Sequence, residues 1–256
     1  MFRPRIIPVL LLMNGGLVKT IKFDKKKAIY LGDPINAVRL FNDLEADELI
    51  ILDITASVEK RVFPLDLVKK FGDEAYMPFS VGGGINSIED IRNILASGAE
   101  KVILNTAAFL KPKFVYEAAS LFGNQSIIVA MDIKKNILGK HRIYISDGTR
   151  VIEGDAVDHA RRIESLGAGE ILVNFIDRDG TMIGYDLEFI REISDSVSIP
   201  VIACGGAGNL KHLVAGANEG GASALAAGSI FVFHGRRNAV LINYPDRKEL
   251  QELFRE

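Results

Sequence analysis

The sequence has little of several things. Among 256 residues there is one cysteine, Cys204, no tryptophan and only four histidines. A lone thiol excludes an internal disulfide and any multi-thiolate metal centre, and it suits a reducing compartment. His141, His159, His212 and His234 form no ligand spacing such as a pair four apart on one helix face. His159 and His212 fall in predicted helices, where a solvated or half-buried imidazole is the ordinary case. No metal and no other cofactor is expected. A surplus of positive charge is missing too: 31 Lys and Arg against 33 Asp and Glu leave a net charge of -2. Nucleic-acid phosphates demand clustered cations, so nucleic-acid binding is set aside. No apolar run reaches membrane-spanning length, and RIIPVLLLM near the start lacks the length and small-residue cleavage site of a signal peptide. The expectation is a cytoplasmic protein that binds no membrane.

What the chain does have is 48% hydrophobic residues, in apolar runs of four to six that alternate with amphipathic stretches from end to end. Runs of that kind read as strands of a parallel sheet buried on both faces, joined by helices. Strands are predicted at 5–11, 48–53, 77–81, 101–105, 126–132, 170–175, 200–204 and 223–227. Asp33-Pro34 offers a helix cap followed by proline at the first helical position, and Ser87 to Asp90 resembles a capping box. Eight strands, each followed by a helix, give an α/β fold, the (β/α)8 TIM barrel, over residues 1–256. Asp147-Gly148 between two β-like runs reads as a hairpin over Arg142 to Gly154, inserted after strand five.

A repeat runs at half the chain length. Phe79 to Ile85 (FSVGGGI) matches Val201 to Ala207 (VIACGGA), with Gly205 lying 123 residues after Gly82; Asn105-Thr106 falls opposite Gly228-Ser229 at the same spacing. Two similar half-barrels, about 1–122 and 123–256, are the economical reading. The repeat sets Leu11 opposite Asp132, at the C-terminal ends of strands one and five, where barrels keep their chemistry.

Gly83, Gly84, Asn105 and Thr106 end strands three and four; Gly205, Gly206, Gly228 and Ser229 end strands seven and eight. Glycines let backbone N–H groups approach an anion, and a short hydroxyl adds a donor. Either glycine pair alone would pass for a tight turn. Two copies in register, each with a hydroxyl one strand later, point to two phosphate sites across the barrel mouth. Asp177 to Thr181 (DRDGT) follows strand six, and its Asp179 and Gly180 join the second site; taken alone it would be a charged surface turn. Asp53 ends strand two, and Cys204, a small buried hydrophobe at the end of strand seven, is assigned to the pocket lining.

With LDITASVEKR, VGGGI, NTAA, GAGEIL, IDRDGT, GYD and GGAG standing in order, nearly the whole chain resembles the cyclase subunit of imidazole glycerol phosphate synthase. The resemblance implies a barrel that binds a substrate by two phosphates and takes ammonia from a glutaminase subunit docked on the N-terminal face. It implies a catalytic aspartate at the end of strand one and another at the end of strand five, and a substrate pocket that includes Lys19, Asp53 and Cys204. Asp132 matches the second aspartate. The first has become Leu11, and Met13 and Asn14 depart from the pattern beside it. Leucine transfers no proton, and loss of a positioned acid or base typically costs about 10²–10⁴-fold, so ordinary ring closure is expected to be severely impaired.

The segment Phe233 to Pro245 is longer and more apolar than the cyclase terminus. It resembles paralogues associated with surface-polysaccharide sugar modification, in which a third, amidotransferase-like protein accompanies the pair. That implies formation of an amidino group, such as acetamidino, on a phosphorylated or nucleotide-linked sugar. Arg5, Glu48, Lys101 and Glu170, at strand starts, match the family's gate over an ammonia passage, with Ile7, Val9, Ile50 and Val129 as candidate lining. Two other readings compete: an ordinary histidine-pathway cyclase, which Leu11 opposes, and a non-catalytic barrel that scaffolds its partners.

Overall fold

The computed structural model describes residues 3–235 and 237–255; Arg236, within the tail discussed above, lies outside them. Eight strands form the barrel: β1 Arg5–Met13, β2 Leu49–Asp53, β3 Phe79–Gly82, β4 Lys101–Leu104, β5 Ile127–Lys135, β6 Glu170–Phe175, β7 Val201–Cys204 and β8 Ala224–Ala227. Each pairs in parallel with the next, and β8 pairs with β1 (Arg5 opposite Ala224, Ile7 opposite Ala226), so the sheet closes on itself. The helices on the outside are α1 Pro34–Asp43, α2 Leu65–Glu74, α3 Ile88–Ala96, α4 Pro112–Phe122, α5 Ala156–Ser165, α6 Leu187–Ser196, α7 Leu210–Asn218 and α8 Arg247–Leu253. Asp33 caps α1 by accepting from Asn36 N, ahead of Pro34, and Ser87 and Asp90 form a reciprocal capping box on α3. Strand β3 starts at Phe79, two residues later than expected, just past Pro78, which has no N–H to give the ladder.

Successive strand side chains point to opposite faces, and the core divides accordingly. Ile6, Leu10, Ile51, Val129 and Ile171 pack outward against the helices, whereas Ile7, Val9, Leu11, Ile50, Ile128, Ala130, Leu172, Ile202 and Cys204 fill the interior. Val129 is therefore not interior lining. With Asp132 pointing inward, period two turns Ile128 and Ala130 inward and sends Val129 to the helices.

Strands β1 and β5 have nine residues each, against four to six in the others. Both overrun the barrel and fold back as antiparallel ribbons above its C-terminal end. Beyond β5 the ribbon uses His141–Ile145 and Arg150–Ile152, as the sequence leads one to expect. Beyond β1 the chain turns through Asn14 and Gly15, at φ 52° and 78°, into Gly16–Lys19 and then Ile29–Gly32. This first ribbon was not foreseen. At the other end the Tyr244 hydroxyl donates to the carbonyl of Ile6 at 2.9 Å, tying the C-terminal segment to β1.

Candidate functional site

A cavity of about 400 Å³ opens between the two ribbons at the C-terminal ends of the strands. Asp132, Lys19, Asp53, Cys204 and all ten residues assigned to the two anion sites line it. Period two along β1 and β5 aims Leu11 and Asp132 inward, and both form part of this wall. Leu11 is only 7% exposed and packs with the interior cluster of Val9, Val18 and Ala130, against which Leu52 also rests. Among the described residues, no carboxylate of β1 or its ribbon lines the cavity.

Asp132 is held by two amides. Asn174 Nδ2 donates to its Oδ1 and Asn105 Nδ2 to its Oδ2, both at 3.2 Å, and Asn105 also reaches the Ala130 carbonyl at 3.0 Å. Enclosure by protein raises the carboxyl pKa to about 7, against the opposing pull of the Asn174 hydrogen bond; Asp147 and Asp179 push it further in the same direction. Asp132 is thereby able to take up or release a proton near neutral pH. Asn174 was not singled out in the sequence. Its signal is positional: it lies two and four residues beyond Leu172 and Glu170, on the inward register of β6, as an amide in an otherwise apolar run. Asn174 Oδ1 and Asp179 Oδ2 are buried without a hydrogen-bond partner.

The other pocket residues divide by their partners. The Asp53 carboxylate accepts from Thr55 N, Thr55 Oγ1 and Ala56 N and pairs with Arg61 at 2.6 Å, so it braces the loop after β2. Lys19 Nζ lies 2.9 Å from Asp179 Oδ1, a buried pair on the far side of the cavity. Burial, with the nearby Asp179 charge, pushes the Cys204 thiol up to about 12, so it stays protonated and is no nucleophile.

At the glycine turns, Gly83 and Gly84 have φ of 135° and 69°, and Gly205 and Gly206 of 84° and 121°. Packing alone already requires glycine there: a Cβ on Gly84 would fall 1.8 Å from the Arg61 carbonyl, and one on Gly206 would fall 2.2 Å from that of Gly184. The N–H groups of Gly83, Gly84 and Gly206 donate to no partner among the described residues. They are free to meet an anion in the cavity. Thr106 and Ser229 open short helices, Thr106–Leu110 and Ser229–Val232, beside these turns. The Thr106 hydroxyl accepts from Ser146 N at 3.1 Å, which draws the β5 ribbon over the Gly83 end. Across the mouth, Lys25 of the β1 ribbon pairs with Asp147 of the β5 ribbon at 2.7 Å. Lys25 and Asp147 were likewise missed as cavity residues.

At the opposite end of the barrel Arg5, Glu48, Lys101 and Glu170 meet. Arg5 reaches Glu48 and Glu170 at 2.5 Å each, and Lys101 reaches the same two carboxylates at 3.1 and 2.7 Å. The four charges alternate in a closed ring, which Ser80 supports by donating to Glu48 at 3.1 Å. Between ring and cavity lie Ile7, Ile50, Ile128, Leu172 and Ile202, all apolar and at most 1% exposed. Among the described residues no three His, Cys, Asp or Glu side chains are grouped to hold a metal ion, and no helix is long and apolar enough to cross a membrane.

Residues 5–237 match the family described as histidine biosynthesis protein. The chain is 46% identical, over 91% of its length and 92% of the relative's, to the imidazole glycerol phosphate synthase subunit HisF of Alkaliphilus metalliredigens. It is 45% identical, over 99% of itself and 100% of the relative, to a protein of Leptospira interrogans provisionally named as that subunit. A provisionally named subunit hisF2 of Pseudomonas aeruginosa is 44% identical over 98% of the chain and 99% of its own length.

Proposed function

The chain belongs to the histidine biosynthesis protein family, and from that premise we propose that it is the ammonia-using synthase subunit of a glutamine amidotransferase complex. Its glutaminase partner docks at the N-terminal face, around the ring of Arg5, Glu48, Lys101 and Glu170. The observation that carries this reading is the continuity of that ring with an apolar interior ending at Asp132. An apolar, water-excluding interior suits uncharged ammonia, and the carboxyl at its far end titrates where an amine-forming reaction needs a proton acceptor. The substrate is a phosphorylated or nucleotide-linked small molecule held by the two glycine turns. With Leu11 in place of the first aspartate, the acceptor chemistry is amidation of a sugar, giving an amidino group, with a third amidotransferase-like protein taking part.

A second reading, the cyclase of histidine biosynthesis, is favoured by the names of the relatives and by the two-ended anion cavity. The two part on one experiment. The protein is supplied with the cyclase substrate and saturating ammonium, turnover is followed by absorbance, and its gene is tested in a strain lacking the cyclase. Negligible turnover and no growth without histidine are expected; growth, or rates typical of the family, would select the cyclase.

A further inference from the structure

The cavity is electrically lopsided. At its Gly83 end Lys25, Lys60, Arg61 and Lys111 line the wall beside Asp53 and Asp147, whereas at the Gly206 end Lys19 is matched by Asp179. Arg61 is committed to Asp53 and Lys25 to Asp147. Lys60 and Lys111 are exposed and make no ion pair or hydrogen bond to another described side chain. Their positions are not incidental to the loop structure. Lys60 sits at a left-handed φ of 54°, and the next residue, Arg61, presses its carbonyl against Gly84 so closely that no Cβ would fit between them. Lys111 directly follows the short helix that Thr106 opens. Two free ammonium groups thus line the same cavity as the unpartnered N–H groups of Gly83 and Gly84.

One phosphoryl group seated on those amides carries close to two negative charges at neutral pH. It can be met by the amides and by Lys25, drawn from Asp147. That leaves Lys60 and Lys111 facing solvent with nothing to bind, unless the ligand extends outward with further negative charge. We propose that the Gly83 end of the cavity is a diphosphate site, with Lys60 and Lys111 holding the outer phosphoryl group. The inference rests on the cavity being the synthase site and narrows its substrate to molecules bearing a diphosphate, such as a sugar linked through it to a nucleoside or a lipid.

Calorimetric titration of the full chain with inorganic pyrophosphate and with inorganic phosphate, free of divalent cations, tests this without glutaminase, ammonia or acceptor. Its failure is therefore distinct from failure of ammonia coupling. Pyrophosphate is expected to bind about tenfold more tightly than phosphate, the size of effect two exposed charge pairs supply. Lys60→Ala with Lys111→Ala is expected to abolish that preference while leaving phosphate affinity within about threefold. Both side chains are exposed, so folding is spared, and an unchanged thermal midpoint checks this. Equal affinities, no binding of either ion, or a preference that survives the double substitution would each overturn the proposal. Competition by uridine diphosphate and by geranyl diphosphate against bound pyrophosphate then separates a nucleotide from a lipid source, tighter competition by one identifying it.

Discussion

A leucine sharing a cavity wall with a titrating aspartate is the feature on which this protein's chemistry turns. Asp132 is clamped by Asn105 and Asn174 in a setting that raises its pKa to about 7. The folded protein therefore binds a proton there that the unfolded chain has released by pH 5, so this group's contribution falls as pH rises from about 4 to 7. At pH 8 the ionised carboxylate costs up to about 4 kcal/mol relative to a freely solvated one. Asp132→Asn is accordingly expected to raise the thermal midpoint more at pH 8 than at pH 5 while abolishing turnover in the assembled complex; equal shifts at the two pH values would contradict the enclosure argument. Leu11→Asp is expected to cost about 3 kcal/mol or more, because it buries a carboxylate among Val9, Val18 and Leu52 without a partner. It should not restore cyclase turnover, since Met13 and Asn14 remain changed; recovery of family rates by this one substitution would count against the reading. Leu11 and Asp132 were legible because a repeat aligned them. Asn174 was not, because an amide in an apolar run says nothing about which way it faces until the register of β6 is fixed.

Among the elements, the two ribbons matter most, since they convert an open barrel mouth into a cavity. Five non-glycine residues on them, Asn14, Lys22, Phe23, Ser146 and Asp147, hold left-handed φ between 52° and 62°, a sparsely populated conformation that persists where surrounding contacts impose it. Those contacts include the Lys25–Asp147 pair, Lys25 Nζ to the Ile54 carbonyl at 2.5 Å, Ser146 N to Thr106 Oγ1, and Lys22 N to the Asp179 carbonyl at 2.9 Å. The base of the β5 ribbon is firmer. There Asp186, held well below the usual carboxylate range chiefly by His141, pairs with His141 at 3.2 Å and Lys135 at 3.0 Å, and the His141 ring stacks on Phe189 with centroids 3.9 Å apart. Asp147→Asn should therefore accelerate amide hydrogen exchange at both ribbon tips, about fivefold at Ser146 and Lys25 if the pair contributes roughly 1 kcal/mol, while exchange in β6 and β7 stays unchanged. Exchange altered at one ribbon only would mean the pair does not couple them. The β5 ribbon could be read from Asp147-Gly148 between β-like runs. The β1 ribbon could not, because Asn14-Gly15-Gly16 ends a strand as readily as it starts a hairpin, and the short strands around Lys25 carry little apolar alternation.

For the molecule as a whole, the question is whether the two ends of the barrel act together. Strand order, closure and the eight-fold alternation followed from apolar periodicity, and the ring charges could be named because each opens or immediately precedes a strand. Which strand faces pointed inward was harder, and Val129 is the instance: the register becomes readable only once a polar anchor such as Asp132 is known to face the cavity. The ring itself departs from the usual role of a barrel's N-terminal face, which is stability. Glu48 and Glu170 are 2% and 8% exposed and share Arg5 and Lys101 between them. A purely stabilising ring and a gate differ in what they do when opened. Lys101→Ala removes one of two cations from two nearly buried carboxylates, which costs about 3 kcal/mol, and it also breaches the ring on one side. As a gate, the breached ring should let ammonia escape or water enter the apolar interior. Product formed per glutamine hydrolysed in the reconstituted complex should then fall, free ammonium should accumulate, and activity with external ammonium should remain largely intact. As a brace, the same substitution lowers the thermal midpoint and every activity in proportion. Unchanged coupling in both Lys101→Ala and Glu170→Ala, with the midpoint lowered, would leave the four charges as structural groups and remove the main support for delivery of ammonia through the barrel.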